Sequence, residues 1–258
     1  MATFVTFHAH PDDECISCGG VMRKAHEDGH RVVLVVATRG EQGEIPPGLL
    51  SDGESLAERR AAETLAAAEI LGVSRVEFLG YADSGMMGEP TNDEPGTFWT
   101  APVEEAAAKL AAILREENAE VLTCYDDNGG YGHPDHIQVH RVGMRAAELA
   151  GTPRVFQSTV NRDHMRRGVA EMADAGLPLP SLEEIEGIGK PESEITTVVD
   201  VTPWLEYKRQ AMRAHPSQIS EDSFFLGTPD DVFRYTFGTE CFIRVGAEPG
   251  ELTDDLFK

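Results

Sequence analysis

The sequence predicts an α/β fold in which a mostly parallel sheet carries helices on both faces. Strand-like and helix-like segments alternate four times in the first 150 residues, and the connections between them are short. Residues 31–37 read Arg-Val-Val-Leu-Val-Val-Ala, a run that is typical of a strand buried on both faces. Because parallel strands need a crossover between them, the alternation favours strands joined through covering helices.

The individual elements follow from local composition. Residues 54–71 are rich in Ala, Glu, Arg and Leu, which favour a helix, and the segment stops at Gly72. Gly29 and Gly151 follow two further helical segments in the same way. The predicted elements are, in order, a strand at 5–8, a helix at 16–28, a strand at 31–37, a helix at 54–71, a strand at 76–79, a helix at 103–117, a strand at 121–125 and a helix at 136–149.

The last third of the chain has a weaker pattern. We expect helices at 161–175 and 203–214, strands at 195–201 and 240–245, and a loop rich in Pro, Gly and acidic residues at 178–194. The chain, residues 1–258, is interpreted as one domain, with residues 1–150 as its core and residues 151–258 shaping the pocket. Whether this last part is the edge of the same sheet or a small cap is left open.

Charge and hydropathy argue against several classes of partner. The chain has 45 acidic and 22 basic residues, a formal net charge of -23, and no Lys/Arg cluster that would bind nucleic acid or anionic lipid. No run of about 18 apolar residues is present. Residues 1–5 lack a basic signal-peptide start, so a cytoplasmic protein is expected. Four cysteines do not make a disulfide framework, and Cys15 and Cys18 are interpreted as small buried residues at a helix start.

Two short polar segments carry the candidate chemistry. Residues 10–14, His-Pro-Asp-Asp-Glu, follow the first strand, and residues 131–136, Tyr-Gly-His-Pro-Asp-His, follow the fourth. Because ligands bind outside the carboxyl ends of parallel strands, both segments are expected at one edge of the sheet. A hydrolytic divalent metal needs about three protein ligands and an open position for water. The two segments together predict such a site.

The residue types suggest a division of roles. His10, Asp13 and His136 form a His/His/Asp ligand set that suits Zn²⁺ or Fe²⁺. Asp12, adjacent to one ligand, is predicted to be the general base, since two neighbouring carboxylates would repel each other without a cation. His140 lies one turn after His136 and is placed in the surroundings of the site, because three ligands are already present.

His133 is left for acid or electrophilic catalysis. As an imidazolium it would stabilise the oxyanion of a tetrahedral intermediate or protonate a leaving amine. Asp135 is expected to orient this ring and raise its pKa. Tyr131 is expected to donate a hydrogen bond to the same oxyanion, with simple packing as the alternative. His8, deeper on the first strand, is predicted to be structural.

The two motifs resemble those of a known family. Residues 9–14, Ala-His-Pro-Asp-Asp-Glu, and residues 132–136, Gly-His-Pro-Asp-His, are similar to the LmbE-like, or PIG-L, metal-dependent N-deacetylases. The resemblance implies a Rossmann-like α/β domain that removes acyl groups, usually acetyl, from amino sugars. Residues 125–136 resemble the actinobacterial branch, which includes the N-acetylglucosaminyl-inositol deacetylase of mycothiol biosynthesis and the mycothiol-conjugate amidase. The resemblance covers residues 3–150 well and the remainder loosely.

The resemblance implies the same metal ligands and base, and it adds substrate-holding positions. Arg60 would contact a polar group of the aglycone, Asp83 would accept sugar hydroxyls, and Glu44 would lie near the sugar. An ordinary salt bridge or loop cap is the alternative for these three. Ser17 stands where deacetylases of the branch have Ser and amidases have Lys, which favours a deacetylase-like pocket.

The predicted function is zinc-dependent removal of an N-acetyl or other N-acyl group from an N-acetylglucosamine-type sugar. The alternatives are a mycothiol-conjugate amidase and a metal- and sugar-binding module without turnover. The presence of both Asp12 and His133 counts against a binding module without turnover. A nucleotide-binding enzyme is rejected, because no Gly-x-Gly-x-x-Gly turn follows the first strand. The expected partner is a small-molecule amino sugar, and the oligomeric state is left open.

Overall fold

The computed structural model describes residues 1–172, 179–248 and 250–258, in which helices flank a seven-stranded sheet. The strands are β1 (Thr3–His8), β2 (Arg31–Val36), β3 (Arg75–Phe78), β4 (Val121–Tyr125), β5 (Arg154–Thr159), β6 (Thr197–Asp200) and β7 (Thr239–Arg244). The helices are α1 (Asp13–Ser17), α2 (Gly19–Glu27), α3 (Leu56–Leu71), α4 (Val103–Glu116), α5 (Pro134–Ala150), α6 (Arg162–Glu171), α7 (Leu182–Glu186), α8 (Leu205–Arg213) and α9 (Asp230–Phe237). Among these helices, none has the length and apolar character needed to cross a bilayer.

The order of the strands places a crevice beside β1. The sheet order is β3-β2-β1-β4-β5-β7-β6, with the first five strands parallel and β7 antiparallel to both of its neighbours. The chain runs outward from β1 to β3 and then returns to the other side of β1 for β4. In open parallel sheets, ligands bind where successive connections diverge in this way. The predicted α/β class, with its mostly parallel sheet, is confirmed.

The two faces of the sheet carry separate apolar cores. Successive residues of β1 point to opposite faces, so Phe4 packs in one core and Val5 in the other. Met22 of α2 and Leu71 of α3 cover the first core, and Leu110 of α4 covers the second. Because both faces are covered, the central strands are buried on both sides, which accounts for the nearly continuous apolar run of β2.

The helix predicted at 16–28 consists of two helices, α1 and α2, that meet at Cys18. The first of them already begins at Asp13, within the polar motif. Asp13 and Glu14 favour that position because carboxylates near a helix N-terminus interact well with the helix dipole. Cys15 and Cys18 are free and buried in the core, as predicted.

The helix predicted at 54–71 begins at Leu56 because Ser55 caps it. The Ser55 hydroxyl accepts a hydrogen bond from the Glu58 amide, and the Glu58 carboxylate accepts one from the Ser55 amide. This reciprocal pair satisfies two amides that the first turn leaves free. The helix ends at Gly72 in the left-handed conformation (φ 77°), as the glycine signal predicts.

The last third of the chain extends the same sheet. β7 pairs with β5, and β6 pairs with β7, so these strands add an antiparallel edge. β5 and α9 were not predicted from the sequence, and the predicted loop at 178–194 contains α7, which Ser181 and Glu184 cap reciprocally. The helix predicted at 161–175 corresponds to α6. Residues 173–175 of that prediction and residue 178 of the predicted loop lie outside the described residues.

Candidate active site

The residues of the two motifs meet at the crevice between the carboxyl ends of β1 and β4. The first motif leads from β1 into α1, and the second leads into α5. The loops after β2 and β3 lie along the same edge: the Thr38 amide donates to the Ala9 carbonyl (3.0 Å), and the Asp83 amide donates to the Glu41 carboxylate (3.2 Å). Four strand ends therefore position the site.

Three side-chain atoms form a compact triangle at the centre of the crevice. The distances are 3.5 Å from His10 Nδ1 to Asp13 Oδ2, 3.3 Å from His136 Nε2 to Asp13 Oδ2, and 3.3 Å between the two imidazole nitrogens. Ligands held at about 2.0–2.1 Å around a tetrahedral Zn²⁺ lie roughly 3.4 Å apart. The triangle therefore has the size of one tetrahedral face, and these residues fit a divalent metal.

Hydrogen bonds to the outer ring nitrogens turn both histidines toward that centre. His136 Nδ1 lies 3.1 Å from the Gly129 carbonyl, so Nδ1 carries the proton and Nε2 keeps a free lone pair. His10 Nε2 lies 3.1 Å from Asp135 Oδ2 and 3.4 Å from Asp83 Oδ1, which leaves Nδ1 free in the same way. Carboxylates or carbonyls behind metal-ligating histidines fix the tautomer and raise the basicity of the ligand.

A third histidine also lies near this centre. Ring nitrogens of His10, His133 and His136 fall within 4.8 Å of one another. Asp13 Oδ2, by comparison, lies 3.5 Å from His10 Nδ1 and 3.3 Å from His136 Nε2, close to the edge length of a tetrahedral site. His133 Nδ1 is moreover occupied, since it accepts a hydrogen bond from the Asp135 amide (3.1 Å). The geometry therefore favours Asp13 over His133 as the third member of a candidate metal site and leaves His133 beside it.

Asp12 stands next to the triangle in an unusual backbone conformation. Its φ of 91° lies in the left-handed region that favours glycine, at the junction between β1 and α1. Burial, followed by the negative charge of Asp13, raises the pKa of Asp12 to about 8. A carboxylate whose pKa lies near neutrality accepts a proton more readily than an ordinary aspartate, as a general base must. A cation in the triangle would counteract part of this shift.

A buried ion pair, which the sequence analysis missed, supports the Asp12 turn. Glu14 Oε2 accepts a hydrogen bond from the Asp12 amide (3.0 Å), and Glu14 Oε1 lies 2.7 Å from His215 Nε2. Both side chains of the pair are fully buried. Three residues on, the Gln218 side-chain amide donates to the Pro11 carbonyl. A third His-Pro dipeptide, at residues 215–216 just after a predicted helix, is the only signal in the sequence that points here.

The expected pairing of Asp135 with His133 is wrong. The Asp135 carboxylate accepts hydrogen bonds from the Ser84 amide (3.0 Å) and hydroxyl and from His10 Nε2 (3.1 Å). His133 caps α5 and meets only the backbone amide of Asp135, because a side chain at a cap position faces the first amides of its helix. The Asp135 carboxylate therefore orients the His10 ring rather than the His133 ring.

The protonation state expected for His133 is also corrected. Burial, together with the neighbouring His10 and His136, lowers its pKa to about 4, and Asp135 offsets only part of this shift. The ring is therefore neutral at physiological pH. Because Nδ1 accepts a hydrogen bond, the proton lies on Nε2, and this N–H is available as a hydrogen-bond donor.

The other aromatic and histidine positions agree with their expected surroundings. The Tyr131 hydroxyl lies 3.4 Å from His136 Nε2 on a half-exposed side chain, and burial raises its pKa, so the phenol stays protonated. His140 contacts the Tyr125 carbonyl (3.0 Å), away from the triangle. His8 is buried between the Thr6 and Tyr125 hydroxyls, as a structural residue would be.

The four predicted substrate-holding residues do not converge equally on the site. Asp83 is buried beside His10, and Arg60 of α3 donates to the Gly40 carbonyl in the neighbouring loop. The Ser17 hydroxyl donates to the Asp13 carbonyl (2.7 Å). Glu44 is exposed, and the described part of the chain shows no hydrogen bond or ion pair from it to the triangle.

The comparisons with known proteins agree with this geometry. The family model described as PIG-L, GlcNAc-PI de-N-acetylase, matches residues 5–147, which contain all three residues of the triangle. The 1D-myo-inositol 2-acetamido-2-deoxy-alpha-D-glucopyranoside deacetylase of Thermobifida fusca is 45% identical, with 97% of this chain and 96% of the relative aligned. The deacetylase of the same name from Thermomonospora curvata is 42% identical and covers 96% of this chain and 92% of its own.

A solved structure supports the fold alone. The N,N'-diacetylchitobiose deacetylase of Pyrococcus horikoshii superposes with a TM-score of 0.57 at 24% identity, covering 94% of this chain and 83% of the other. The family match spans more than half of the chain, and the two relatives span nearly all of it. The protein therefore belongs to the PIG-L family of de-N-acetylases.

Proposed function

We propose that this enzyme hydrolyses the N-acyl amide of a glucosamine-type glycoside, with 1D-myo-inositol 2-acetamido-2-deoxy-alpha-D-glucopyranoside as the first candidate substrate. Family membership makes it a hydrolytic N-deacetylase, and the named activity of its relatives supports the candidate. The observation that carries the proposal is the ligand triangle with a perturbed carboxylate, Asp12, directly beside it. Metal ligands and a base at one point are what amide hydrolysis requires.

We propose Zn²⁺ as the metal and His10, Asp13 and His136 as its ligands. Two imidazole nitrogens and one carboxylate oxygen with tetrahedral spacing suit Zn²⁺, although the same donors also bind Fe²⁺. When bound, such a cation polarises the amide carbonyl and lowers the pKa of a water molecule.

The surrounding residues then act on the reacting atoms. Asp12 accepts a proton from the attacking water, and its raised pKa lets it return that proton to the leaving amine. The Nε2–H of neutral His133 and the hydroxyl of Tyr131 donate hydrogen bonds to the carbonyl oxygen as negative charge develops there. The carbon–nitrogen bond breaks, and the products are a carboxylate and the free amino sugar.

An acetate-release assay tests the proposal. Zinc-loaded protein is incubated with the inositol glycoside, N-acetylglucosamine and N,N'-diacetylchitobiose, and Asp12→Asn serves as the inactive control. We expect turnover of at least the inositol glycoside, with the free amine and acetate formed in equal amounts. Release from none of the three substrates, by protein that binds one metal per chain, would reject the proposed function.

A further inference from the structure

A large cavity opens directly at the ligand triangle. Its volume is about 430 Å³, and Asp13, His136 and Tyr131 line the end at the triangle. From there it extends beneath β5, α6 and α9. The apolar residues that line it include Ile16, Val160, Met165, Phe224, Tyr235 and Phe237. Cavities of roughly 300–1,000 Å³ hold drug-sized ligands, so this one is far larger than the methyl group of an acetyl requires.

Most of the lining surface of this cavity is apolar, and several of its polar side chains are already bonded within the protein. His164 Nε2 contacts the Tyr235 carbonyl and the Tyr235 hydroxyl donates to the His164 carbonyl, both at 3.0 Å. The Lys208 ammonium pairs with the Glu240 carboxylate, and the Thr159 hydroxyl donates to Asp126 (2.6 Å). A polyhydroxylated group placed here would exchange its hydrogen bonds to water for few new ones, which is unfavourable. An alkyl chain has no hydrogen bonds to water to lose, and its burial away from water is favourable.

The opposite side of the triangle is polar. Asp83 and Glu41 belong to the loops after β3 and β2, and Arg60 reaches the same loops from α3. β2 and β3 lie on one side of β1 in the sheet, whereas β5 and β7, which line the cavity, lie on the other. A secondary amide is trans, so its acyl chain and its nitrogen substituent leave the carbonyl in opposite directions. With the carbonyl at the triangle, a sugar on the polar side sends its acyl chain into the cavity.

We propose that this cavity binds an N-acyl chain longer than acetyl, so that the enzyme prefers amino sugars with medium-length fatty amides. This inference rests on the deacylase function proposed above and specifies the acyl group. The enzyme cleaves the amide to a fatty carboxylate and the free amine, with water as the only co-reactant. Each buried CH₂ contributes about 0.8 kcal/mol, or roughly fourfold, to binding.

Three matched glycosides test the inference. They are methyl 2-acetamido-2-deoxy-D-glucopyranoside, its N-octanoyl analogue and the octyl glycoside of the N-acetyl sugar. We expect kcat/KM of the zinc-loaded enzyme to be at least about tenfold higher for the N-octanoyl compound than for the N-acetyl compound. The octyl glycoside should show no comparable gain.

Two valines of equal exposure provide the variant and its control. Val160 lines the cavity and is 40% exposed, while Val245, in the turn directly after β7, does not line it and is 41% exposed. Val160→Asn should lower the N-octanoyl to N-acetyl ratio of kcat/KM about tenfold, and Val245→Asn should leave it unchanged.

An N-octanoyl substrate no better than the N-acetyl one would overturn the inference while the deacetylase function stands. A gain confined to the octyl glycoside would also overturn it, by assigning the cavity to the aglycone. Turnover of none of the three by enzyme that deacetylates the inositol glycoside would likewise overturn the inference, whereas failure on the inositol glycoside as well would reject the underlying function.

Discussion

Asp12 combines a strained backbone with a perturbed acidity at a single position. A non-glycine residue held at φ 91° costs on the order of 1–3 kcal/mol. Asp12→Asn keeps the shape of the side chain and removes the base, so we expect kcat to fall about 10²–10⁴-fold while the metal content is unchanged. Acetate release measures the first quantity, and elemental analysis of the purified protein measures the second.

A glycine at this position separates strain from catalysis. Asp12→Gly relieves the strained φ, so this variant should unfold at a temperature no lower than wild type although it is equally inactive. If Asp12→Asn lost metal and activity together, Asp12 would be a ligand and the roles of Asp12 and Asp13 would be exchanged.

His133 should contribute without titrating in the working range. Its pKa of about 4 lies below its ordinary value, so it loses its proton before the pH reaches 5 and stays neutral above that. His133→Ala should lower kcat about 10²–10³-fold, the usual value of a lost oxyanion donor. The alkaline limb of the pH–rate profile, measured from pH 6 to 10, should keep its midpoint. Disappearance of that limb in the variant would show that a protonated His133 takes part.

Among the secondary-structure elements, α1 depends on the segment that follows α8. His215→Ala leaves the Glu14 carboxylate buried without its partner, and we expect a loss of stability on the order of 3 kcal/mol by urea unfolding. Because Glu14 also holds the Asp12 amide, kcat should fall while KM changes little, at a temperature where the variant is folded.

Two further variants test whether this dependence is specific. His215→Gln retains an N–H donor for Glu14 and should restore part of kcat. Arg213, the last residue of α8, forms an exposed ion pair with Glu221. Arg213→Ala removes this pair and should change both the stability and kcat little. A KM effect as large as the kcat effect in His215→Ala would argue against positioning of Asp12.

The same elements show what the sequence could predict. The central strands and the two polar motifs could be predicted because each is encoded by neighbouring residues: a β-branched run in one case and a His-Pro-Asp-Asp turn in the other. The structure brings the residues of the two motifs together. β5 was missed because its sequence, Arg-Val-Phe-Gln-Ser-Thr, lacks both a continuous apolar run and clean alternation. His215 was missed because its partner, Glu14, lies 201 positions away, and no local pattern encodes that contact.

For the whole molecule, the metal should act as a stabilising ligand. The three proposed ligands come from the segments after β1 and β4, which an unfolded chain does not hold together. A ligand at 100 times its Kd stabilises the folded state by about 2.7 kcal/mol, so Zn²⁺ should raise the Tm by several degrees. His136→Ala should abolish this shift, and His140→Ala, one turn further along α5, should retain it. Differential scanning calorimetry with and without chelator provides the measurement, and a retained shift in His136→Ala would contradict the ligand set.

The buried pair of Glu14 and His215 also has a consequence for synthesis on the ribosome. His10, Asp13 and His136 all leave the ribosome before His215, so a nascent chain has its complete ligand set while the support for Asp12 is still missing. The family-matched residues 5–147 therefore contain the proposed ligands but not His215, the partner of the Glu14 carboxylate that accepts a hydrogen bond from the Asp12 amide. We therefore expect efficient hydrolysis only from chains that have been synthesised beyond His215.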